Sequence, residues 1–457
     1  MHYCAQACCG IIPPHILEHI ASSHHPDVTE RQRALAGNTL RTMALIHKAR
    51  EVIGDSHVPG FRTRSAPLSG RHLSRSHQSI IPGYIYKEIS EAKELPEHTR
   101  ERARLNVQRI DALNQAQGVL QGIVIGSAVP KHFYRVIRDA NQKNESNGSV
   151  IVHEDAADAN SVAATDDDVS RVWADLEKIF EFYSTEFDRN SVDDKGLHLI
   201  ATVHFDDDSG VTPGFMNAFW DPRTSEWYFG DGDGVIFDDF TKAIDIVAHE
   251  YTHAVTQYTA NLPYRFQAGA LNEHYSDVFG ALVKQKFHAD GLQKAKDADW
   301  LVGEGVFLNT KAPALRSMKE PGEAYDWDVI GGKDPQGKDM DGYKNLPEWQ
   351  DNGGVHINSG IPNHAFFLVA VGFKEEDGYK GYAWKEPGQI WYKTLVDPEF
   401  RGYFDLEGEL TNQAVEKNIK TAFKLFANLT IKHAQALYGT QGRDIVRNAW
   451  KTVKVLP

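Results

Sequence analysis

The stretch AIDIVAHEYTHAV, residues 243–255, limits what this chain can fold into more than any other because it matches the pattern H-E-x-x-H. On a helix, residues four apart lie on one face about one turn from each other, so His249 and His253 can bind the same ion. Zinc suits two imidazoles at this spacing, and Glu250 is a candidate general base beside them. Because the chain has 21 histidines, the surrounding sequence must also be consistent with a metal site.

Length and charge define the class of protein around this helix. A chain of 457 residues suits two or three folding units, and 41% hydrophobic with 25% charged residues is typical of globular proteins. The net charge of -14 argues against nucleic acid and an anionic membrane surface as partners. No apolar run reaches the ~18 residues of a membrane helix, and no basic secretory signal begins the chain. We therefore expect a protein that is cytoplasmic or exported without a conventional signal peptide.

All three cysteines, Cys4, Cys8 and Cys9, lie at the N-terminus. The rest of the chain therefore has no disulfide framework, and nothing in it requires an oxidising compartment. The three thiols fit either a metal-binding or thiol-switch cluster or a mobile terminus, and we favour the terminus.

The front of the chain contains a repeat. IIPPHILEHIA at residues 11–21 returns as IIPGYIYKEIS at residues 80–90, and a charged helical stretch follows each copy. A linker rich in Pro, Gly, Ser and Arg separates them, which predicts two small helical modules over 11–46 and 80–116. The first 115 residues carry a net charge of +4 and the rest carries -18, so we expect the two parts to attract each other.

Behind this front piece, the hydrophobic pattern changes from strands to helices. VSRVWADLEKIFEFYSTEF has a helical period, LHLIATVHF alternates as a strand does, and WDPRTSEWYF predicts a strand, a turn and a strand. Beyond residue 240 the pattern is mainly helical. The expected fold class is α+β, with a β-rich lobe over 126–255, a helical lobe over 256–457 and a cleft between them.

A catalytic zinc site needs a third protein ligand and a position left for water. QAGALNEHYSDVFGALV, residues 267–283, predicts a second amphipathic helix on which Glu273 and Asp277 share one face. Glu273 can ligate the metal, and Asp277 can accept the outward N–H of a ligating histidine. Either acid alone would more often face solvent, but the joint spacing favours a metal site.

These motifs together resemble the thermolysin family of zinc metallopeptidases, the gluzincins. The glutamate of ALNEHYSD follows H-E-x-x-H by twenty residues, and MNAFW, GDGDG, ALRSM and DNGGVHINSGIPN stand in the family's order. The resemblance extends over most of residues 200–450. IIPPHILEHI is similar to the short prosegment of the protealysin branch, and GALNEHYSDVFGALVK also fits that branch. The resemblance implies a two-lobed thermolysin-like fold with zinc in the cleft, preceded by a helical prosegment over 1–125.

The resemblance also implies a catalytic role for each matching position. One zinc ion would be held by the two motif histidines and Glu273, with Glu250 as general base and proton shuttle. Tyr264 and His356 would stabilise the developing oxyanion, and Asp351 would orient that histidine.

Further positions match the family's substrate groove. Asn217 and Ala218 would bind substrate backbone, and Arg316 would bind the carbonyl beyond the scissile bond. A further pocket of the family holds the substrate side chain that follows the scissile bond. The positions that match its walls are all apolar, namely Phe237, Phe240, Ile246 and Leu315. Cleavage before Leu, Phe, Ile or Val is therefore implied.

The positions that match the family's double calcium site depart from its pattern. They are Asp245, Lys284, Asp299, Leu301 and Glu304. A lysine and a leucine side chain cannot be oxygen ligands, and the Lys284 ammonium can replace the metal charge among the three acids. We expect no double calcium site and leave other calcium binding open.

Two functions from different classes remain to be compared. The first is a zinc endopeptidase made as a proenzyme, monomeric, with peptides or proteins as substrates and its own prosegment as inhibitor. The second is a catalytically silent, metalloprotease-like binding protein, which would normally lack Glu250, Tyr264 or His356. All three are present, so we expect the enzyme. A zinc aminopeptidase is a lesser alternative because no anchor for a free amino terminus is evident.

Overall fold

The computed structural model describes residues 10–55, 133–143, 148–156, 158–206, 214–404 and 412–457. The chain divides into two compact units, one of Met1–Glu51 with Lys131–Pro457 and one of Val52–Pro130. The three cysteines and the second repeat module lie outside the described residues, so the predictions on them stay predictions. The domain boundaries that the sequence analysis places after residues 125 and 255 also stay predictions.

The helices of the described residues follow one another along most of the chain. They are α1 (Pro14–Ser22), α2 (Glu30–Asp55), α3 (Ala159–Ala163), α4 (Asp167–Phe187), α5 (Ile244–Tyr258), α6 (Phe266–Lys286), α7 (Asp351–Asn358), α8 (Gly360–Gly372), α9 (Glu386–Leu395), α10 (Pro398–Gly402), α11 (Asn412–Lys420) and α12 (Ala422–Thr452). None of them is long and apolar enough to cross a membrane.

Five strands form one mixed sheet in the order β2-β1-β3-β5-β4. They are β1 (Arg135–Lys143), β2 (Ser149–His153), β3 (Leu199–Phe205), β4 (Ala218–Asp221) and β5 (Glu226–Phe229). The inner strands β1, β3 and β5 run parallel, and the two outer strands pair antiparallel to their neighbours. Two short antiparallel pairs follow, β6 (Leu301–Val302) with β7 (Arg316–Ser317) and β8 (Asp326–Trp327) with β9 (Gly332–Lys333). The predicted α+β class, with a β-rich lobe before a helical one, is confirmed.

The helix α4 shows how local sequence sets these elements. The Asp166 carboxylate caps its N-terminus by accepting the backbone N–H groups of Asp168 and Val169 at 2.9 and 3.0 Å. Its apolar residues recur at helical spacing and are buried, and it ends at Asp188 in a left-handed conformation.

The helices α5 and α6 pack closely together and are almost entirely buried. At Gly280 of α6, a Cβ atom would lie 2.7 Å from the carbonyl oxygen of Asp245 on α5, so the approach requires glycine. The sequence predicted the first of these helices from about Thr241, but α5 begins at Ile244. The reason is a turn in which the N–H and hydroxyl of Thr241 donate to Asp239.

The first repeat module packs into the same core as the two lobes. Pro13 is extended, with φ -60° and ψ 139°, and Pro14 occupies the first turn of α1, where its missing N–H costs nothing. Ile16, Leu17 and Ile20 of α1 are all 0–1% exposed and belong to the main hydrophobic cluster of the protein. The module is therefore an integral part of the described unit.

Lys284 lies where the resemblance places the calcium cluster. Its ammonium donates to both carboxylate oxygens of Asp299 at 3.2 and 3.1 Å, to Glu304 at 3.1 Å and to the carbonyl oxygen of Leu301 at 3.3 Å. Burial alone would lower the pKa of Lys284, but the negative charges of Asp245, Asp299 and Glu304 more than offset this effect and raise the pKa.

We expect Lys284→Met to lower the free energy of unfolding by about 1–3 kcal/mol, because the buried Asp245 carboxylate would lose a stabilising positive charge. Added calcium should not restore the loss, whereas removing zinc should lower the melting temperature of the parent protein. Thermal melts with defined metals test this, with the exposed Lys296→Met as control. Two calcium ions at this cluster, or a large calcium-dependent rise at constant zinc, would contradict it.

Candidate active site

The two motif histidines and Glu273 converge inside the protein. His249 and His253 project from α5 and Glu273 from α6, and all three are at most 3% exposed. The two Nε2 atoms lie 3.0 Å apart, and the Glu273 carboxylate oxygens lie 3.5 and 3.4 Å from them. The three predicted ligands therefore share one small pocket.

The outward ring nitrogens show which way the two imidazoles are protonated. His253 Nδ1 donates to Asn272 Oδ1 at 2.9 Å, and His249 Nδ1 lies 3.0 Å from Asp277 Oδ1. With both Nδ1 atoms facing acceptors, both Nε2 atoms are left to bind a metal ion. Two imidazoles that bind through Nε2 and a carboxylate form the donor set of a catalytic zinc site, so the residues present fit this ion. Sequence reasoning missed Asn272, although it directly precedes Glu273 in the motif.

A chain of hydrogen bonds extends outward from Asp277. The Trp391 indole N–H can only donate, so His274 accepts it at Nε2, at 2.7 Å, and donates from Nδ1 to Asn363 Oδ1, also at 2.7 Å. Asn363 then donates to Asp277 Oδ2 at 2.8 Å. Burial lowers the pKa of His274 to about 4, which keeps it neutral. The sequence contained no signal for this chain of contacts.

Arg316 binds Asp277 through two parallel bonds of 2.8 Å, from Nε to Oδ2 and from Nη2 to Oδ1. Burial alone would raise the pKa of Asp277, but the charge of Arg316 and the contact with His249 hold it well below its usual range. The carboxylate therefore stays ionised and contacts His249, Arg316 and Asn363 at once.

We expect Asp277→Asn to weaken zinc affinity by about 10–100-fold, because the amide is uncharged and satisfies the His249 N–H less well. Competition with a zinc-sensitive dye measures this directly. Asp290→Asn, at a side chain that is 95% exposed, is the matched control and should bind zinc like the parent. Unchanged affinity in Asp277→Asn would contradict the orienting role.

The Glu250 carboxylate is buried beside the ligand pocket. Its Oε2 atom accepts the backbone N–H of Trp220 on β4 at 3.0 Å, and its own backbone carbonyl accepts the indole N–H of Trp227 at 2.9 Å. The edge of the sheet therefore holds both ends of this residue in place. Neither tryptophan was predicted as part of the site.

His356 and Tyr264 lie beside Glu273. The Tyr264 hydroxyl donates to Glu273 and lies 3.3 Å from His356 Nε2. His356 Nδ1 lies 2.5 Å from Asp351 Oδ1, and its Nε2 lies 3.0 Å from the carbonyl oxygen of Gly10. A carboxylate and a carbonyl both accept, so the two contacts together suit a protonated ring that donates from both nitrogens. Burial opposes this charge, but Glu273 and Asp351 raise the pKa of His356.

A turn inside α7 brings Asp351 to its histidine. Asn352, Gly353 and Gly354 have φ values of 48°, 80° and 88°, a left-handed run that reverses the chain. A Cβ atom at Gly353 would lie 2.3 Å from the Phe266 ring, so glycine is required there. The turn lets Asp351 Oδ2 accept the backbone N–H of His356 at 3.0 Å.

The predicted substrate-binding groups contact the N-terminal segment. Ile11 donates its N–H to the carbonyl oxygen of Ala218 at 3.4 Å, and Ile12 donates to Asn217 Oδ1 at 3.0 Å. Arg316 Nη1 donates to the carbonyl oxygen of Ile11 at 3.0 Å. The predicted pocket walls are at most 1% exposed and share one hydrophobic cluster with Ile11; they are Phe237, Phe240, Ile246 and Leu315.

A second group of potential metal ligands contains Asp166, Asp168 and His204. The hydrogen bond from His204 Nδ1 to Asp231, at 3.0 Å, and the nearby acids raise the pKa of His204 to about 10. Burial and the neighbouring Asp239 raise the pKa of Asp168 to about 8. The His204 ring lies 3.3 Å from Asp166 and 3.4 Å from Asp168, so a protonated imidazole would form ion pairs with acids here.

Two family models cover most of the chain. The model of the thermolysin metallopeptidase catalytic domain matches residues 130–257, and the model of the thermolysin alpha-helical domain matches residues 260–455.

The similar proteins are proteases. Protease PrtS of Photorhabdus sp. (strain Az29) is 38% identical over 393 residues, which cover 84% of this chain and 93% of the relative. An extracellular metalloprotease of Pectobacterium carotovorum subsp. carotovorum is 37% identical over 385 residues, or 84% and 97% of the two chains. The solved precursor of protealysin, a metalloproteinase from Serratia proteamaculans, is 36% identical, with a TM-score of 0.60 over 83% of this chain and 100% of that one.

Proposed function

The chain belongs to the thermolysin family of metallopeptidases, and on that premise we propose how its residues hydrolyse peptide bonds and how its N-terminal segment restrains them. It is a zinc metalloendopeptidase of the protealysin-like branch. The observation that carries the residue assignments is the convergence of His249, His253 and Glu273 beside Glu250 in one buried pocket. The silent binding protein is not favoured because each predicted catalytic side chain is present in that pocket.

The zinc ion would be held by His249, His253 and Glu273, and when bound it supplies a Lewis acid. Glu250 accepts the proton of the attacking water and returns it to the leaving nitrogen. This role is supported by its position beside the ligands, where the Trp220 N–H holds one carboxylate oxygen.

His356 and Tyr264 stabilise negative charge on the carbonyl oxygen of the substrate. Support comes from the raised pKa of His356, which Glu273 and Asp351 cause, and from the 3.3 Å between its Nε2 and the Tyr264 hydroxyl. His356, which Asp351 holds in place, is already positioned and needs no reorganisation when charge develops. Asp351 keeps the His356 ring oriented and charged.

The groove beyond this point selects substrates. Asn217, Ala218 and Arg316 bind an extended backbone, as their contacts to Ile11 and Ile12 support. The apolar pocket walls surround the substrate side chain that follows the scissile bond. Burial there stabilises a hydrophobic residue by about 1.5–3 kcal/mol. The substrates are therefore peptides or proteins cut before a hydrophobic residue.

The first repeat module inhibits the enzyme by occupying this groove. Besides the backbone contacts of Ile11 and Ile12, His15 Nε2 lies 2.9 Å from the Tyr325 hydroxyl. Burial lowers the pKa of His15 to about 4, so the module docks with this side chain neutral at ordinary pH. While it is docked, no substrate can reach the three backbone-binding groups.

The expected compartment follows from a relative. The Pectobacterium carotovorum protein is named an extracellular metalloprotease, which favours export over a cytoplasmic location for this chain. Immunoblots of cell and culture fractions of the source organism test this.

Peptidase activity should be lost when zinc is removed with a chelator and return on addition of zinc, but not on addition of calcium. A quenched fluorescent peptide with leucine after the scissile bond, assayed with the protein after removal of the N-terminal segment, measures this. A second peptide with aspartate in that position is the control and should be cut far more slowly. Activity that survives chelation, or equal rates on both peptides, would contradict the proposal.

A further inference from the structure

Residues Gly10 to Ile12 lie in the site in a defined register. The carbonyl oxygen of Gly10 lies 3.0 Å from His356 Nε2, and the N–H of Ile11 donates to Ala218 at 3.4 Å. The Ile11 carbonyl oxygen accepts Arg316 at 3.0 Å, and the Ile12 N–H donates to Asn217 at 3.0 Å. Each successive backbone group from the Gly10 carbonyl to the Ile12 N–H therefore contacts a different group of the groove.

This register identifies one peptide bond. The carbonyl on the metal side is that of Gly10, because the His356 Nε2 atom that holds it lies 3.5 Å from Glu273 Oε2. The next carbonyl along the chain is the one that Arg316 holds, at Ile11. The peptide bond between these two carbonyl groups is Gly10–Ile11. It occupies the position in which a substrate would present its bond for hydrolysis.

We propose that the N-terminal segment is bound in the direction of a substrate and that the enzyme hydrolyses its own Gly10–Ile11 bond. This inference rests on the proposed function, since it requires the catalytic roles given above. It adds a cleavage site directly before the inhibitory module, at the bond that joins Gly10 to its first residue.

Glycine is required on the amino side of this bond. A Cβ atom at Gly10 would lie 2.4 Å from Met43 Cε, 2.7 Å from Asn217 Nδ2 and 3.0 Å from the carbonyl oxygen of Ala218. Met43 belongs to α2, so the module itself covers the backbone at this point. Only a residue without a side chain lets the chain approach the pocket this closely.

The residue on the other side of the bond suits the pocket. The Ile11 side chain is 0% exposed and belongs to the same hydrophobic cluster as the predicted pocket walls. Pro13 and Pro14 have no N–H to donate, and α1 begins directly after Pro13. The chain therefore leaves the groove after Ile12, and the module presents a single bond in an extended conformation.

The reaction is an ordinary hydrolysis. The oxygen of water bonds to the Gly10 carbonyl carbon, and the bond from that carbon to the Ile11 nitrogen breaks. Glu250 carries one water proton to that nitrogen, and the second water proton passes to the new amino group as the Gly10 carboxyl group ionises. The products are a ten-residue peptide that ends in the Gly10 carboxylate and a chain that begins at Ile11. The contacts of Ile11, Ile12 and α1 survive the cut, so the cut alone should leave the module docked.

The test uses the zinc-loaded full chain, followed by intact mass spectrometry and N-terminal sequencing. We expect a product that begins at Ile11, formed at a rate independent of protein concentration. Ile11→Val should retain this product, whereas Ile11→Asp and Glu250→Gln should lose it. A fluorescent peptide substrate is assayed in parallel with the full-length Ile11→Asp chain, in which docking of the module is weakened.

Absence of the Ile11 product would overturn the inference. If the peptide substrate is still hydrolysed, the proposed function stands without this inference. If neither the peptide nor the Gly10–Ile11 bond is cut, the proposed function and the inference are both wrong.

A second readout uses the inactive Glu250→Gln background, in which Gly10→Ala should lower the melting temperature. Gly37→Ala on α2, where the nearest atom lies 3.9 Å from the added Cβ, should not lower it. Equal melting temperatures for Gly10→Ala and its parent would also overturn the register.

Discussion

Glu250→Gln should retain its zinc and lose about 10²–10⁴-fold of the peptidase activity. The side chain lies beside the ligand pocket, and Trp220 anchors one of its oxygens, so an amide of the same shape can occupy the space. The amide cannot accept the proton of the attacking water at neutral pH. Zinc content by elemental analysis, and kcat/KM on a peptide substrate, separate binding of the ion from catalysis.

The matched control for this variant is Glu181→Gln, at an exposed glutamate of α4. It removes the same charge from the chain without touching the pocket and should keep the activity of the parent. A Glu250→Gln protein that hydrolyses peptides at nearly the parental rate would show that another group is the general base. Loss of zinc together with activity would make Glu250 a residue needed for metal binding instead.

Ile11→Asp should raise the activity of the intact precursor by roughly 100-fold or more, measured before any self-processing. The isoleucine side chain is 0% exposed, so the variant loses about 1.5–3 kcal/mol of burial and places a charge in an apolar pocket. Each ~1.4 kcal/mol lost from docking of the module shifts its occupancy of the groove tenfold. Initial rates on a fluorescent peptide in the first minutes after zinc addition measure the release.

The chain provides its own control for this prediction. Ile80 occupies the position of the second repeat copy that corresponds to Ile11, and Ile80→Asp should leave the precursor inhibited. Deletion of residues 1–60 and replacement of Pro13 and Pro14 should raise activity in the same way as Ile11→Asp. If Ile80→Asp releases activity and none of the other changes does, the second module is the inhibitor and the assignment must be reversed.

Sequence alone predicted the fold class, the family and the enzymatic activity, and all three are confirmed. It succeeded because the decisive signals are local. The 3.6-residue helical period places His249 and His253 on one face, and a fixed order of short motifs follows them. The helix boundaries were less accurate, since the turn at Thr241 depends on a side-chain hydrogen bond that periodicity does not encode.

The tertiary structure alone decided which groups complete the site. Asn272, Asn363 and Trp391 are uncharged, and a lone amide or indole in a helical sequence gives no indication of its partner. The structure also set the register of the N-terminal segment, in which Gly10 meets His356 across 346 residues of sequence and Ile11 meets Arg316 across 305. Such contacts depend on the packing of whole helices and sheets, which positions donors and acceptors that the local sequence leaves unassigned.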